Sequence, residues 1–435
     1  SSAGIVAAWD SQLAAAKEIP SLRRMLAERG SGIFPEFAAR YAEIRALPRS
    51  ARRSLQRRLG RSNDLTLPAE WRRRLAYSIA GAALLLALSQ APAADAGSIT
   101  VNAKSPEIKV DGLCSLKEAI IAANTDNPYD GCAAGSGPDT IMLPGGAQSV
   151  TTSSDIVFGS YTGLPLITSE ITIAGNNSRI SRKSSTFFRL FAVDTGGDLT
   201  LDRVILSGGV ASDDGTTPGN AFGGAILNKG SLTLQNSTIT GNFAERGGAI
   251  LNDGSVEIEH SVFSKNTGGF GGGAIYNRTG TVVITDNSVI TGNKADYGGA
   301  VWSSPGATTT IDNSTVSKNS VSRSGGAVFN ANGYVIILDG SLITGNKAPQ
   351  EGGGVFNNSG LTHIYDSTVS KNSAGDRGGG VFISNSGTLV MTNSDILGNK
   401  AGESGGGLYR AGTAYSGYGN TFSKNKAPMY ADHFP

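Results

Sequence analysis

Cysteine and histidine are nearly missing from this chain. It has two cysteines, Cys114 and Cys132, and three histidines, His260, His363 and His433, in 435 residues. Two thiols without a nearby histidine cannot close a structural zinc site. The histidines have no partner spacing that fits a metal or a catalytic triad. There is no phosphate-binding loop and no nucleophile elbow. Acidic residues are scattered, and Asp213-Asp214 is the one adjacent pair of aspartates. No metal and no cofactor are therefore expected. Proline is sparse too, and a repeat in the mid-twenties rich in Gly, Asn, Ser and Thr excludes most helical repeats, which need roughly 33 to 47 residues per unit and strong helix formers.

Charge is low and unevenly placed. The net charge of +2 conceals a basic beginning: residues 1–74 hold 15 Arg and Lys against 7 Asp and Glu, and the remainder is mildly acidic. An acidic body argues against nucleic acid as its partner.

Glycine, by contrast, is abundant, with 60 residues. A Gly-Gly pair followed by a small and then an aliphatic residue recurs eight times, starting at Gly223, Gly247, Gly272, Gly298, Gly325, Gly352, Gly378 and Gly405. A second marker keeps the same pace of 24 to 27 residues: Asn242, Asn266, Asn293, Asn319, Asn346, Asn372, Asn399 and Asn425. Between them lie short runs of alternating apolar residues, such as Leu232-Thr233-Leu234 and Leu389-Val390-Met391. Alternation of this kind buries one face of a strand. Strands this short cannot enclose a core alone, so the units must stack. The fold class that follows is all-β, a right-handed parallel β-helix with one coil per repeat. Each coil advances by about 4.8 Å, and eight of them span roughly 40 Å. The asparagines are expected to hydrogen-bond to their copies in the coils above and below as a structural ladder, at corners where asparagine tolerates a left-handed backbone. Asn228, Asn252, Asn277, Asn330 and Asn357 form a second, partial series.

The chain divides as follows. Residues 1–70 read as an Arg-rich helical leader of unassigned role. The first residue is not Met, which points to a fragment or to processing. Residues 71–96 combine Arg72-Arg73-Arg74, an apolar run over residues 75–88 and small residues at 91–96, the pattern of a secretory signal cleaved after Ala94 or Ala96. The alternative is an uncut membrane anchor, which would be the chain's one membrane contact. Residues 97–135 form an N-terminal cap: Ser115 and Glu118 stand at capping-box spacing before an apolar run, starting a short helix. Leu116, Ala119, Ile120 and Ala123 share one face of it, suited to covering the open end of the β-helix. In an exported chain, Cys114 and Cys132 are expected to form one disulfide stapling this cap. Residues 136–222 are less regular coils, with residues 212–220 the expected lateral protrusion, and residues 223–435 are the regular repeats. The sequence stops about one turn after Asn425, which predicts a partner, further sequence or end-to-end self-association at that end.

Residues 114–124, Cys-Ser-Leu-Lys-Glu-Ala-Ile onward, resemble the CSLREAI-type motif of secreted bacterial repeat proteins, with Lys117 where arginine is usual. The Gly-Gly-Ala-Ile elements and the Phe-Ser-Lys-Asn runs at 263–266 and 422–425 are similar to repeats of the polymorphic outer-membrane proteins. The two resemblances together cover residues 98–435. They imply an extracellular or outer-membrane-surface right-handed β-helix, often tied to adhesion. Those outer-membrane proteins also carry a translocating barrel, which no stretch of this sequence resembles.

Two strips could carry function. The residue before each ladder asparagine alternates between glycine and lysine, giving Lys265, Lys318, Lys371 and Lys424, while in the glycine coils a lysine follows instead, at Lys294, Lys347 and Lys400. Staggering relieves repulsion between stacked ammonium groups. The strip is either a basic track for an anionic glycan or phosphate, or a solvated corner balanced by Asp296, Glu351, Asp376 and Glu403. Tyr276, Trp302, Phe329, Phe356, Phe382 and Tyr409 form an aromatic row, one per coil. Strand alternation turns it outward for sugar rings or a protein partner, unless a bulge at Gly-Gly turns it into the core. The expected function is an adhesin-like binding or envelope-structural module with no catalytic site, its partner a surface glycan or envelope protein. The alternative is a polysaccharide-cleaving lyase or glycosidase with carboxylates drawn from separate coils.

Overall fold

The computed structural model describes residues 97–432 except 158, 212–220 and 413, and before them positions 37, 38, 40, 41, 44, 45, 75 and 81–85. The chain forms two compact units, Ser1–Asp95 and Ala96–Pro435. The described positions of the first unit are helical, and Phe37 stacks on Tyr41. Most of the basic leader and the signal segment lies outside the described residues, as do the expected protrusion at 212–220 and His433. Among the described residues no helix is long and apolar enough to cross a membrane.

The second unit is a parallel β-helix. One coil runs through Ile250–Asn252, Ser255–Glu259, Val262–Ser264 and Thr267–Gly271 before reaching Ile275–Asn277, the in-register neighbour of its own first strand. Stacking these coils produces a nine-stranded sheet from the eight strands after Gly-Gly and Phe191–Val193, a 21-stranded sheet from the two central runs, and a seven-stranded sheet from the strands after the asparagine ladder. Crossovers between parallel strands take the right-handed sense. Alternation sets the inward face: in Thr388–Thr392, Leu389 and Met391 are buried while the residues between them are partly exposed. Their counterparts line one continuous column, apolar except where Thr309 and Thr362 take the place of Leu389.

Three corners hold each coil, each for a different chemical reason. At the first, the two glycines are obligatory. The leading glycine has φ between +58° and +73° in all eight repeats. A Cβ on the second would approach the next coil's glycine carbonyl to 2.1–2.4 Å from Gly224 through Gly379. At the second, between the two central strands, Asn236, Asn313, Asp339, Asp366 and Asn393 adopt φ of 45–52°, and His260 does so at 48°. The buried serine that follows accepts the backbone N–H of its copy in the preceding coil at four steps, Ser237 to Ser261 (3.0 Å), Ser261 to Ser288 (3.1 Å), Ser314 to Ser341 (3.3 Å) and Ser367 to Ser394 (3.2 Å). The sequence reading did not single out this serine series, although Ser237, Ser261, Ser288, Ser314, Ser341, Ser367 and Ser394 keep the repeat's period.

The third corner is the asparagine ladder. From Asn242 to Asn425, each Nδ2 donates to the next Oδ1 at 2.9–3.0 Å. The same Oδ1 accepts the preceding backbone N–H, and the remaining Nδ2 hydrogen meets a strand carbonyl, as in Asn319 to Ile290 at 3.0 Å. These amides are buried, so the ladder satisfies donors and acceptors that would otherwise be stranded in the wall. The partial series also bonds, Asn228 to Asn252 at 2.8 Å and Asn252 to Asn277 at 3.1 Å, until Ser303 interrupts it and Asn277 turns to Thr309 Oγ1.

The N-terminal end is closed by the helix Leu116–Thr125 with its Ser115/Glu118 capping box. Leu116, Ala119, Ile120 and Ala123 join the first coils' core, and Cys114 is disulfide-bonded to Cys132. Asn124 ties the helix to the wall, donating to the Leu166 carbonyl at 2.7 Å and accepting the Thr168 N–H at 2.9 Å. Lys117 is only 2% exposed. Its ammonium pairs with Glu107 and donates to the Thr152 carbonyl at 2.9 Å. Burial alone would raise the Glu107 carboxyl, but hydrogen bonds from Lys117, the Thr152 hydroxyl and the Thr151 and Thr152 amides pull it from 4.5 down to about 2.

Two outcomes follow. Asn319→Ala strands the Asn293 N–H, the Ile290 carbonyl and two neighbouring side-chain amides, and should cost about 3 kcal/mol; a denaturant titration showing a loss below about 1 kcal/mol would refute the ladder's structural weight. A carboxyl held low in the folded state stabilises fully above its unfolded value and loses that contribution as pH falls through the folded one. The thermal midpoint advantage of the unmodified chain over Glu107→Gln should therefore be constant above pH 4.5 and shrink from there toward pH 2. An advantage independent of pH would show that Glu107 acts only by packing.

Candidate ligand-binding corner

The aromatic row is in register across six strands, Tyr276 on Trp302 and onward to Tyr409. Each preceding aliphatic points into the bore, so the aromatics do stand on the outer side of the sheet. Successive rings stack with centroids 4.4–5.6 Å apart and planes within 10°. The row is nonetheless not the open face expected for sugar binding: Phe329, Phe356 and Phe382 are 6–9% exposed. The cause is the Gly-Gly corner, which folds the preceding segment back over the rings. A Cβ on Gly325 would lie 3.1 Å from Phe329 Cβ, and Phe270 and Tyr297 pack onto Trp302 from outside. Arg377 reaches over Tyr409, 5.3 Å from the ring centroid, donates to its hydroxyl and pairs with Glu403. The row is thus a second, shielded apolar column outside the bore, in which only Trp302 and the last ring, Tyr409, are half-exposed.

The lysine strip is open. Lys265, Lys294, Lys318, Lys347, Lys371, Lys400 and Lys424 are all exposed. The acids expected to balance them do not. Glu351 accepts from Ser324 and Glu403 pairs with Arg377, while Asp296 accepts from Ser322. Among the described residues no ion pair involves a lysine of the strip. A hydroxyl row runs beside it on the preceding strand, paired as Ser264 with Thr240, Ser317 with Thr291 and Ser370 with Thr344 at 3.0–3.1 Å.

The corner lysines are also strained. Lys265, Lys318, Lys371 and Lys424 have φ of 54–58°, the conformation that Gly241, Gly292, Gly345 and Gly398 supply in the alternate coils. A side chain there costs about 1 kcal/mol, and no contact of the lysine ammonium repays it. A Cβ on Gly241, Gly292 or Gly398 would meet nothing within 4 Å, so backbone conformation, not space, favours glycine at this corner.

Catalytic chemistry finds little to build on among the described residues. No three His, Cys, Asp or Glu side chains converge. Asp253 is bound by Arg278 and Asp202 by Arg203. A shallow crevice bordered by Ala307, Tyr334, Leu361 and Thr388 contains no carboxylate. Beside it, His363 Nδ1 lies 3.1 Å from the Tyr334 hydroxyl and 2.8 Å from that of Tyr365, and partial burial lowers its pKa.

Residues 247–427 match the family model for the right handed beta helix region. No curated protein matches the chain significantly.

If the corner lysines are strained without structural return, Lys371→Gly should leave stability unchanged or raise it by up to about 1 kcal/mol, the released strain being partly offset by glycine's freedom in the unfolded chain. A loss of more than about 1 kcal/mol on denaturation would show instead that the lysine holds the corner together.

Proposed function

We propose that this right-handed β-helix repeat protein is a non-catalytic binding module, exported and displayed outside the cell, whose lysine-lined corner takes an anionic surface glycan. The observation that carries the reading is the strip itself: seven exposed lysines, one on each successive coil, none engaged by a carboxylate among the described residues, beside a row of hydroxyls. Nearby acids that could neutralise the strip bond to serines and Arg377 instead. A solvated corner needing only solubility has no use for lysine at the strained position. The shielding of Phe329, Phe356 and Phe382 moves the binding surface away from the aromatic row, which serves packing. Export is supported by the signal-like stretch and by the Cys114–Cys132 bridge, a bond that persists in oxidising compartments. Display at a bacterial outer surface rests on the resemblance of the cap motif and repeats to secreted proteins.

The test is affinity electrophoresis of the chain through gels containing acidic or neutral polysaccharides. Acidic polymers should retard it and neutral ones should not, with retardation falling steeply as salt rises because bound counterions are released. Replacing Lys318, Lys347 and Lys371 by Gln should weaken retention by about tenfold or more. Equal retention by neutral polymers would refute the reading, and shortening of any polymer would establish the cleaving enzyme in its place.

A further inference from the structure

The two lysine rows are out of phase with one another. In the corner row, Lys265, Lys318, Lys371 and Lys424 occupy alternate coils, with Gly292, Gly345 and Gly398 between them. In the neighbouring row, on the other side of the ladder, Lys294, Lys347 and Lys400 stand in register with Thr267, Ser320 and Ser373. From Lys265 to Lys400, therefore, each coil presents one lysine of the strip, and its side switches at every step. Along the axis the charges advance by about 4.8 Å per coil in a zigzag, and by about 9.6 Å within either row.

Repulsion between stacked lysines would be relieved as well by leaving every second coil without one. The unstrained row alone, at Lys294, Lys347 and Lys400, would do that. The intervening coils are instead filled from the corner, where lysine must adopt the left-handed backbone that glycine takes with ease. Strain retained at a surface position with no internal contact points to an external one. Hydroxyls fill the complementary places: Ser264 and Thr267 flank Lys265, and Ser317 and Ser320 flank Lys318. Ser264 and Ser317 already donate to the Thr240 and Thr291 hydroxyls, so each such coil offers one cation and, at Thr267 or Ser320, one hydroxyl able to donate to and accept from a sugar hydroxyl.

Resting on the binding function argued above, we propose that the ligand is a linear polysaccharide with a carboxylate on every sugar, lying along the helix axis as an extended two-fold ribbon. In such a ribbon consecutive sugars are turned over, so carboxylates leave alternate edges, and one sugar advances by about one coil. Each carboxylate then meets one lysine, first on one side of the asparagine column and then on the other. A polymer with acid on every second sugar presents its charges along a single edge and engages one row. A buckled chain holds neither register.

The experiment uses the chain as it stands, with fragments of β-1,4-linked polyglucuronate (a carboxylate on every sugar) and of hyaluronan (on every second sugar), matched in sugar number and ionic strength. Two variants each remove one row: Lys265→Gln with Lys318→Gln and Lys371→Gln, and Lys294→Gln with Lys347→Gln and Lys400→Gln. All six positions are exposed, and an unchanged thermal midpoint confirms that the fold is intact. Polyglucuronate affinity should rise with fragment length up to about seven sugars, and each variant should weaken it by a similar factor of about tenfold or more. Each should also reduce its salt dependence by nearly half. Hyaluronan fragments should bind more weakly and respond to one variant only. Polyglucuronate binding indifferent to either row, or hyaluronan binding as tightly at equal length, overturns the zigzag register while leaving acidic-polymer binding in place. Failure of both polymers, and of all other acidic polysaccharides, removes the function on which it rests.

Discussion

The buried asparagine column is the interaction on which the rest of the wall depends. A β-helix corner takes the backbone out of its sheet, so its N–H and C=O groups lose their regular partners inside a wall that water cannot enter. One asparagine per coil resolves this, because its amide has both donors and acceptors and its repeat distance equals the strand spacing. Asn319 alone serves the backbone of Asn293, the carbonyl of Ile290 and the amides above and below it. The column also fixes the residues on either side of it. A lysine one position before or after the buried amide is held outward at a defined height, so the ladder sets the pitch of the charged strip.

The other corners answer the same demand with different chemistry. Serine suffices where only one N–H per coil needs an acceptor, as between Ser237 and Ser261. Gly-Gly is used where backbones approach so closely that no side chain fits. That close approach has a second effect, since the folded-back segment covers the row from Tyr276 to Tyr409 and converts it into a packed column. Apolar surface therefore supports the wall from inside and outside, and the polar corner at the asparagine ladder remains open to solvent. At the N-terminal end the same economy operates on charge. Lys117 is buried beneath the cap only because Glu107 and Thr152 meet its ammonium there.

Much of this was legible before any coordinates. Fixed spacing of Gly-Gly and Asn implies stacked coils, because a repeat too short to fold alone can bury its apolar face only against its copies. The Ser115/Glu118 box and the apolar face of the cap helix are local patterns, and the alternation in residues 388–392 fixes which side chains point inward. The serine series was equally present in the sequence, but serine is common and lacks the distinctive neighbours that mark Gly-Gly and Asn.

What the chain could not reveal was contact between segments of different coils. Periodicity placed the aromatic row on the outer side of a strand, yet its exposure depended on the path of residues such as Phe270 and Tyr297 after the preceding corner. It likewise placed acids near the lysines, but direction decided the pairing: Glu351 and Glu403 turn to Arg377, leaving the ammonium groups free. Local sequence determines which way a side chain leaves the backbone, and so determined the coil, its ladder and its cap. Only the tertiary structure decides what lies above that side chain, because burial and ion pairing are set by the neighbouring turns of the wall.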